Sequence, residues 1–212
     1  MNSPPSGSVF YRMEVRMKAV ALAGLAVIVL SAAAPSAQPS NPTTPSIEKP
    51  FAPGGRIQLK LHAADYKITG RSDGKIRVMW RSDRPDALAG VRADINVTGR
   101  TAVITTSGVK NSVSFTIDVP SRTDIEIDLT AGDLEVRGIE GSKRIESWAG
   151  DVSIDVGQPG QYRQVDASVR AGDISALPFK VSTGGLLRSF RWTGQGPYTL
   201  AVKLFAGDLT LR

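Results

Sequence analysis

A four-residue motif, Ala-Gly-Asp followed by an aliphatic residue, occurs four times in the last 82 residues of the chain. Its copies begin at Ala131, Ala149, Ala171 and Ala206, and a looser copy, Ala-Ala-Asp-Tyr, begins at Ala63. Each copy opens a short run of alternating apolar and polar residues, which predicts a tight turn followed by a half-buried strand. A unit that recurs at this scale is typical of a repeat architecture, which presents an extended surface rather than a deep cleft.

The same period of two continues outside the motif. Apolar residues occupy alternate positions in five further segments, 57–61, 76–80, 113–119, 125–129 and 200–204. Each segment is expected to be a strand with one buried face. No segment after the first fifty residues has the period of a helix, so the sequence predicts a single all-β domain.

The spacing of the motif bears on the kind of all-β fold. Its Asp residues recur after 18 residues (Asp133 to Asp151), 22 residues (Asp151 to Asp173) and 35 residues (Asp173 to Asp208). Steps of about 20 residues fit one coil of a solenoid, and the last step is close to two coils. We therefore predict a parallel β-solenoid, β-helix-like, with 18–22 residues per coil. Because the N-terminal half lacks the clean repeat, a β-sandwich or a solenoid–sandwich mixture stays the alternative.

Residues 1–37 have the order of a secretory signal peptide. Three basic residues precede an uncharged apolar stretch, and small residues follow it up to Ala37. The apolar stretch is shorter than the roughly 20 residues of a membrane-spanning helix. Cleavage is expected after Ala37, which predicts an exported protein of the periplasm, the cell surface or the medium. Pro35 fits the cleavage site poorly, so an uncleaved N-terminal membrane anchor is the alternative.

Residues 38–50 are rich in Pro, Ser and Thr, which predicts an extended linker and places the folded domain at 51–212. Loss of residues 1–37 removes three cations and one anion and lowers the formal net charge from +6 to +4. This small excess favours anionic partners but lacks the dense basic stripe of a nucleic-acid-binding protein. The chain has no Cys, which excludes disulfides and thiolate metal sites, and no cofactor is predicted.

One stretch resembles a known family. It begins at Ile117-Asp-Val-Pro120 and continues with an alternating strand, the first Ala-Gly-Asp copy and the turn Gly138-Ile-Glu-Gly141. This order is similar to the bacterial "putative adhesin" domain family, in which an aliphatic-x-Val-Pro step is followed by Gly-Asp-aliphatic strands and Gly-x-x-Gly turns. The resemblance covers 51–212. It implies an exported β-solenoid domain of poorly defined function and carries over no catalytic residues.

The four motif carboxylates, Asp133, Asp151, Asp173 and Asp208, are the candidates for a metal site. If the repeats stack, these side chains form a row of oxygen atoms, and Ca²⁺ takes six to eight oxygen ligands. The bland interpretation is that each Asp accepts a hydrogen bond from a turn amide beside a Gly with unusual backbone angles. The second interpretation is favoured, since each step offers only one Asp.

Basic and aromatic residues gather late in the chain, and Arg188, Arg191 and Trp192 are the candidates for a ligand surface. Arg beside an exposed aromatic ring can bind an anionic glycan, a phosphate group or a lipid headgroup. The alternative is a solvated strand face with an aromatic residue covering the end of the core. Trp80 and Trp148 alternate with polar residues and are predicted to be core residues.

Catalytic chemistry has little support in the sequence. The lone His62 has no second His or Cys for a zinc site, and no Gly-x-Ser-x-Gly elbow is present. Nothing in the linear pattern pairs the candidate acids for glycoside hydrolysis, which are Glu126, Asp128, Glu135, Glu140 and Glu146. The chain is therefore predicted not to be an enzyme.

The sequence as a whole predicts a non-catalytic, adhesin-like binding or structural module of the cell envelope or surface. Its partner would be an envelope polymer such as a glycan, or a protein, held on an extended repeat face. The alternative is a periplasmic accessory or sensor domain of an envelope-stress system with a protein partner. Contact with a membrane is expected only if the signal stays uncleaved. Because the chain ends in a strand, 208–212, association of two copies through the solenoid end is a further expectation.

Overall fold

The structure is a computed structural model that describes residues 44–109 and 112–212. The predicted signal peptide and residues 38–43 of the predicted linker lie outside the described residues. Seventeen strands are described: β1 Ser46–Pro50, β2 Arg56–Leu61, β3 Asp65–Arg71, β4 Lys75–Ser82, β5 Arg92–Thr98, β6 Thr101–Ser107, β7 Val113–Pro120, β8 Asp124–Leu129, β9 Leu134–Arg137, β10 Lys143–Ala149, β11 Val152–Ile154, β12 Tyr162–Ala171, β13 Ile174–Ala176, β14 Val181–Thr183, β15 Leu186–Thr193, β16 Tyr198–Ala206 and β17 Leu209–Leu211. Three short 3₁₀ turns accompany them: Pro85–Leu88, Pro159–Gln161 and Leu177–Phe179.

The strands form two large mixed sheets. The nine-stranded sheet has the order β1-β4-β7-β3-β9-β11-β17-β13-β14, and the eight-stranded sheet has the order β15-β12-β16-β10-β8-β2-β6-β5. Strands in the middle of both sheets pair in parallel, and those at the ends pair antiparallel. The all-β prediction is confirmed, and the sheets are sandwich-like.

The repeated motif connects the two sheets, as predicted for a turn followed by a strand. Each full copy links a strand of the eight-stranded sheet to a short strand of the other, namely β8 to β9, β10 to β11, β12 to β13 and β16 to β17. The predicted parallel solenoid of 18–22 residues per coil is not shown, because these units do not stack in chain order. The unit β16–β17 lies between β10–β11 and β12–β13. The 35-residue step therefore does not span two coils: it contains β14 and β15, which pair antiparallel with β13 and β12.

Two further segments differ from the sequence interpretation. Ser46–Pro50, assigned to the linker, forms the edge strand β1 against β4. Glu48 anchors it through ion pairs with Lys75 (2.7 Å) and Arg77 (2.9 Å), a link that joins residues far apart in sequence. At the other end of the chain, β17 is not an exposed end strand, since it pairs with both β11 and β13.

The buried faces of the two sheets form one apolar core. The five alternating segments all lie within strands and turn their apolar residues inward, as predicted, although Trp80 at the end of its segment is half-buried. A lysine is unexpectedly part of this core: Lys143 is 2% exposed. Its ammonium group donates to the hydroxyl of Tyr162 (2.8 Å) and to the carbonyl of Gly141 (3.1 Å). Burial lowers the pKa of Lys143 to about 8, although nearby carboxylates, Asp155 first among them, act in the opposite direction.

Candidate functional site

The Asp residues of the repeated motif lie in a row across the turns that connect the two sheets. In each turn the backbone N–H of one Asp donates to the Oδ1 atom of the next: Asp133 to Asp65 (3.2 Å), Asp151 to Asp133 (3.1 Å), Asp208 to Asp151 (2.9 Å) and Asp173 to Asp208 (2.9 Å). We call this row the Asp ladder. Each carboxylate accepts a backbone hydrogen bond from the neighbouring unit, and this offsets the repulsion between stacked like charges.

The Gly of each motif allows the turns to approach this closely. At Gly150 the φ angle is +111°, and an added Cβ atom would lie 2.2 Å from the carbonyl oxygen of Gly132. Gly132, Gly172 and Gly207 share the positive φ angle and the close backbone carbonyl. Only glycine adopts this backbone without strain and leaves the space for a neighbouring carbonyl. The motif therefore encodes the packing of backbone against backbone.

The ladder also bears on the calcium hypothesis for Asp133, Asp151, Asp173 and Asp208. One oxygen of each carboxylate accepts a backbone N–H, and for Asp173 the donor is Gly185 (3.2 Å). Within residues 44–109 and 112–212, no group of three or more His, Cys, Asp or Glu side chains is placed to hold a metal ion. The geometry gives these carboxylates a role in joining adjacent turns.

A shallow groove of about 670 Å³ crosses the outer face of the eight-stranded sheet between β8 and β15. Trp148 of β10 is 63% exposed, and its ring stacks face to face on Phe205 of β16, with centroids 4.3 Å apart and an angle of 9° between the planes. Arg170 of β12 lies over Phe205, 5.2 Å from the ring centroid. Leu187 of β15 continues this row at the rim and is 75% exposed. We call this site the aromatic groove.

A row of polar side chains lies beside the aromatic one. Asp128, Glu146, Lys203 and Ser168 are in register across β8, β10, β16 and β12, and all four line the groove. Glu146 forms ion pairs with Lys203 (3.4 Å) and with Arg144. Among the described residues, no side chain forms a hydrogen bond or an ion pair with the carboxylate of Asp128. An apolar surface beside a few converging polar groups is the usual composition of a ligand site.

The exposure of Trp148 corrects the prediction that it is a core residue. Strand β10 aligns Ile145 with Ile127 of β8 and Val202 of β16, all of which point into the core. Since side chains alternate along a strand, Lys143 and Ser147 must also point inward, and Trp148 must point outward. The half-buried Trp80 does pack on the core, with its ring centroid 6.2 Å from that of Phe115.

The three residues predicted to form a ligand surface lie on β15 but on different faces. Trp192 packs on the core, with its ring centroid 5.2 Å from that of Phe179. Arg191 points outward and forms an ion pair with Asp166, and this hydrogen bond is the main cause of the lowered pKa of Asp166. Arg188 lines the aromatic groove, and its Nε donates to the carbonyl of Gly184 (2.6 Å). Of the three, only Arg188 belongs to the groove.

The groove rim contains a strained backbone position. Leu187 has a φ angle of 56°, in the left-handed region that bulky residues rarely adopt. Its side chain and that of the adjacent Leu186 are exposed, the latter at 72%. Strain of this kind costs on the order of 1 kcal/mol and tends to occur at functional sites.

The candidate acids do not form one catalytic site. Glu126, Asp128 and Glu146 lie on neighbouring strands of the eight-stranded sheet, whereas Glu135 lies on β9 of the other sheet. Glu140 lies in the turn between β9 and β10. The lone His62 is exposed after β2.

Comparisons with known proteins indicate the fold. No family model and no curated protein matches the chain. The chain is similar in structure to a putative cell adhesion protein from Clostridium sporogenes, at 13% identity and a TM-score of 0.50, over 79% of this chain and 98% of that one. It also matches putative adhesins from Parabacteroides merdae (11% identity, TM-score 0.29, 81% and 97% covered) and Bacteroides fragilis (10%, 0.26, 81% and 98%). At 13% identity the first likeness shows a shared fold alone.

The comparisons bear on location and chemistry only through those names, which refer to adhesion and not to an enzyme. In the described part of the chain, no helix has the length and apolar character to span a bilayer.

Proposed function

We propose that the chain is a non-catalytic, adhesin-like binding module of the cell envelope or surface, exported through its N-terminal signal, which holds an extended ligand in the aromatic groove. The observation that carries the proposal is the stacked pair of Trp148 and Phe205 on the outer face of the sheet. A large aromatic ring exposed at 63% is costly to leave in water and is a common anchor of binding surfaces.

The surroundings of this pair favour binding over catalysis. Glycoside hydrolysis needs one carboxyl group as acid and another as base or nucleophile across the scissile bond. Here Glu146 is held by Arg144 and Lys203, so that Asp128 is the carboxylate of the groove left without such a partner. The groove is also shallow and lies on a flat sheet face, a shape that suits a polymer lying across the strands.

Fold likeness alone does not set function. The similar fold of the Clostridium sporogenes cell adhesion protein is in keeping with the proposal. The family resemblance and the signal-like residues 1–37 support an exported location, with an uncleaved anchor as the alternative.

Co-sedimentation with the envelopes of the producing organism tests the proposal. Purified protein is expected to pellet saturably, and Trp148→Ala is expected to weaken this binding about tenfold or more, as for a central aromatic anchor. Val97→Ala is the matched control, since Val97 is an exposed apolar residue of β5 at the far edge of the same sheet. It should bind like the wild type.

Two results would contradict the proposal. Equal pelleting of Trp148→Ala and wild type would mean that envelope binding does not use the groove. No pelleting of the wild type would exclude a direct adhesin and favour the periplasmic accessory or sensor domain with a protein partner.

A further inference from the structure

The aromatic row leaves one ring face open. Trp148 and Phe205 stand on adjacent strands with centroids 4.3 Å apart, close to the spacing of neighbouring strands, so their rings are stacked along the direction in which the strands follow one another. Phe205 covers one face of Trp148. The other face is turned towards β8, where the small residue Thr130 follows Leu129 at the groove. A flat ring placed above Thr130 would extend the stack by one member.

A hydrogen-bond acceptor lies beside this open face. Asp128 precedes Thr130 by two residues and lines the same groove, and no described side chain engages its carboxylate. A sugar ring has an apolar face of C–H groups for stacking and hydroxyl groups at its edge. The hydroxyl groups would donate to Asp128 while the C–H face packs on the indole.

A cation lies on the opposite side of the aromatic pair. Arg170 is over Phe205, and no described carboxylate forms an ion pair with its guanidinium group. It is separated from β8 by β10 and β16, which places it about 14 Å from that strand. Lys203 lies between them, paired with Glu146 at 3.4 Å. The groove thus has an acceptor at one end, stacked rings in the middle and an unpaired guanidinium at the other end.

From this arrangement we infer that the ligand is a polysaccharide that contains carboxylated sugars, an inference that rests on the proposed function. One sugar ring stacks on the open face of Trp148 and donates to Asp128. A carboxylate further along the same chain pairs with Arg170, whose planar fork suits bidentate contact with a carboxylate. A wholly neutral glycan leaves Arg170 without its partner, and a bare polyanion leaves the ring site empty.

Titration of the full-length protein with defined polymers tests the inference. The probes are hyaluronan, in which acidic and neutral sugars alternate, its methyl ester, neutral dextran and inorganic polyphosphate. We expect hyaluronan to bind and its methyl ester to bind about tenfold more weakly. Arg170→Gln should bind hyaluronan and its ester equally, because the charge that distinguishes them is gone. Trp148→Ala should lose both, and Val97→Ala should match the wild type.

Other outcomes separate this inference from the proposed function. Equal binding of hyaluronan and its ester by the wild type, or tight binding of polyphosphate that survives Trp148→Ala, overturns the acidic-sugar inference. Failure of every polymer to bind, while envelope pelleting still depends on Trp148, also overturns it and leaves the proposed function standing. Loss of envelope pelleting itself removes the proposed function.

Discussion

The Asp ladder and the aromatic groove are built in opposite ways. The ladder consists of the residues that repeat in the sequence, and their side chains and backbone contact one another. The groove consists of residues that do not repeat, such as Trp148 and Arg170, which occupy positions that are otherwise polar or small along the same face. The repeated residues meet the demands of the backbone, whereas the residues that depart from the repeat supply the chemistry of the surface.

The difference predicts that the two regions respond to mutation in different ways. Changes in the ladder should reduce the free energy of unfolding, and changes in the groove should reduce binding with little effect on stability. Four substitutions test that separation.

The largest effect is expected for Gly150→Ala. The new Cβ atom would lie 2.2 Å from the carbonyl oxygen of Gly132, on a backbone with a φ angle of +111°. We expect a loss of about 3 kcal/mol or more in the free energy of unfolding, measured by urea denaturation. Gly99→Ala is the control, because Gly99 also has a positive φ angle (+59°) but has no heavy atom near the added Cβ. It should cost about 1 kcal/mol. Equal losses would show that close approach of the turns is unimportant.

The second effect concerns Lys143, which lies on the same strand as Trp148 and points inward. Its pKa of about 8 in the folded protein lies below the ordinary value of 10.5, so between these values the unfolded chain binds the extra proton. Stability should therefore rise with pH in this window, by up to about 1.4 kcal/mol per pH unit. The burial of Tyr66 and Tyr162, with pKa values raised to about 12, has the opposite sign above pH 10.

Urea denaturation between about pH 8 and about pH 9.5 measures this slope before the tyrosines contribute. Lys143→Met should abolish the slope, and the exposed Lys60→Met should keep it. A wild-type stability that falls or stays level over this window would contradict a buried, proton-losing Lys143, whether or not Lys143→Met folds.

Much of this architecture can be predicted from the sequence, and the failures have identifiable causes. The alternating segments fix which residues are buried, and the motif fixes where the chain turns between sheets. The order of the units cannot be obtained from spacing, because the insertion of β16–β17 between earlier units depends on long-range pairing. Lys143 and Ser147 break the apolar pattern of β10, which hid the outward direction of Trp148. The position of Ile145 on that strand was the available signal.

The third effect is expected for Asp151, the middle of the ladder. Its Oδ1 atom accepts the backbone N–H of Asp208 at 2.9 Å. Asp151→Ala should lower the free energy of unfolding by about 1–2 kcal/mol, whereas Asp151→Asn, which keeps an acceptor oxygen, should cost less than half of that. The same denaturation series with added calcium tests the metal hypothesis. If the carboxylates act only within the ladder, calcium and magnesium at equal concentration should leave the midpoint equal. A midpoint raised by calcium alone, and lost in Asp151→Asn, would make these residues calcium ligands.

The smallest effect on stability is expected for Trp148→Ala, the substitution with the largest expected effect on binding. With 63% of the residue exposed, little apolar surface returns to water, and the loss beyond the contact with Phe205 is small. We expect a change in the free energy of unfolding of about 0.5–1 kcal/mol, within the range for one aromatic pair. Phe205→Ala should cost more, because Phe205 is less exposed and also carries the contact with Arg170. A loss at Trp148 as large as that at Gly150 would mean that the aromatic pair holds the sheet together, and the separation between a structural ladder and a binding groove would not hold.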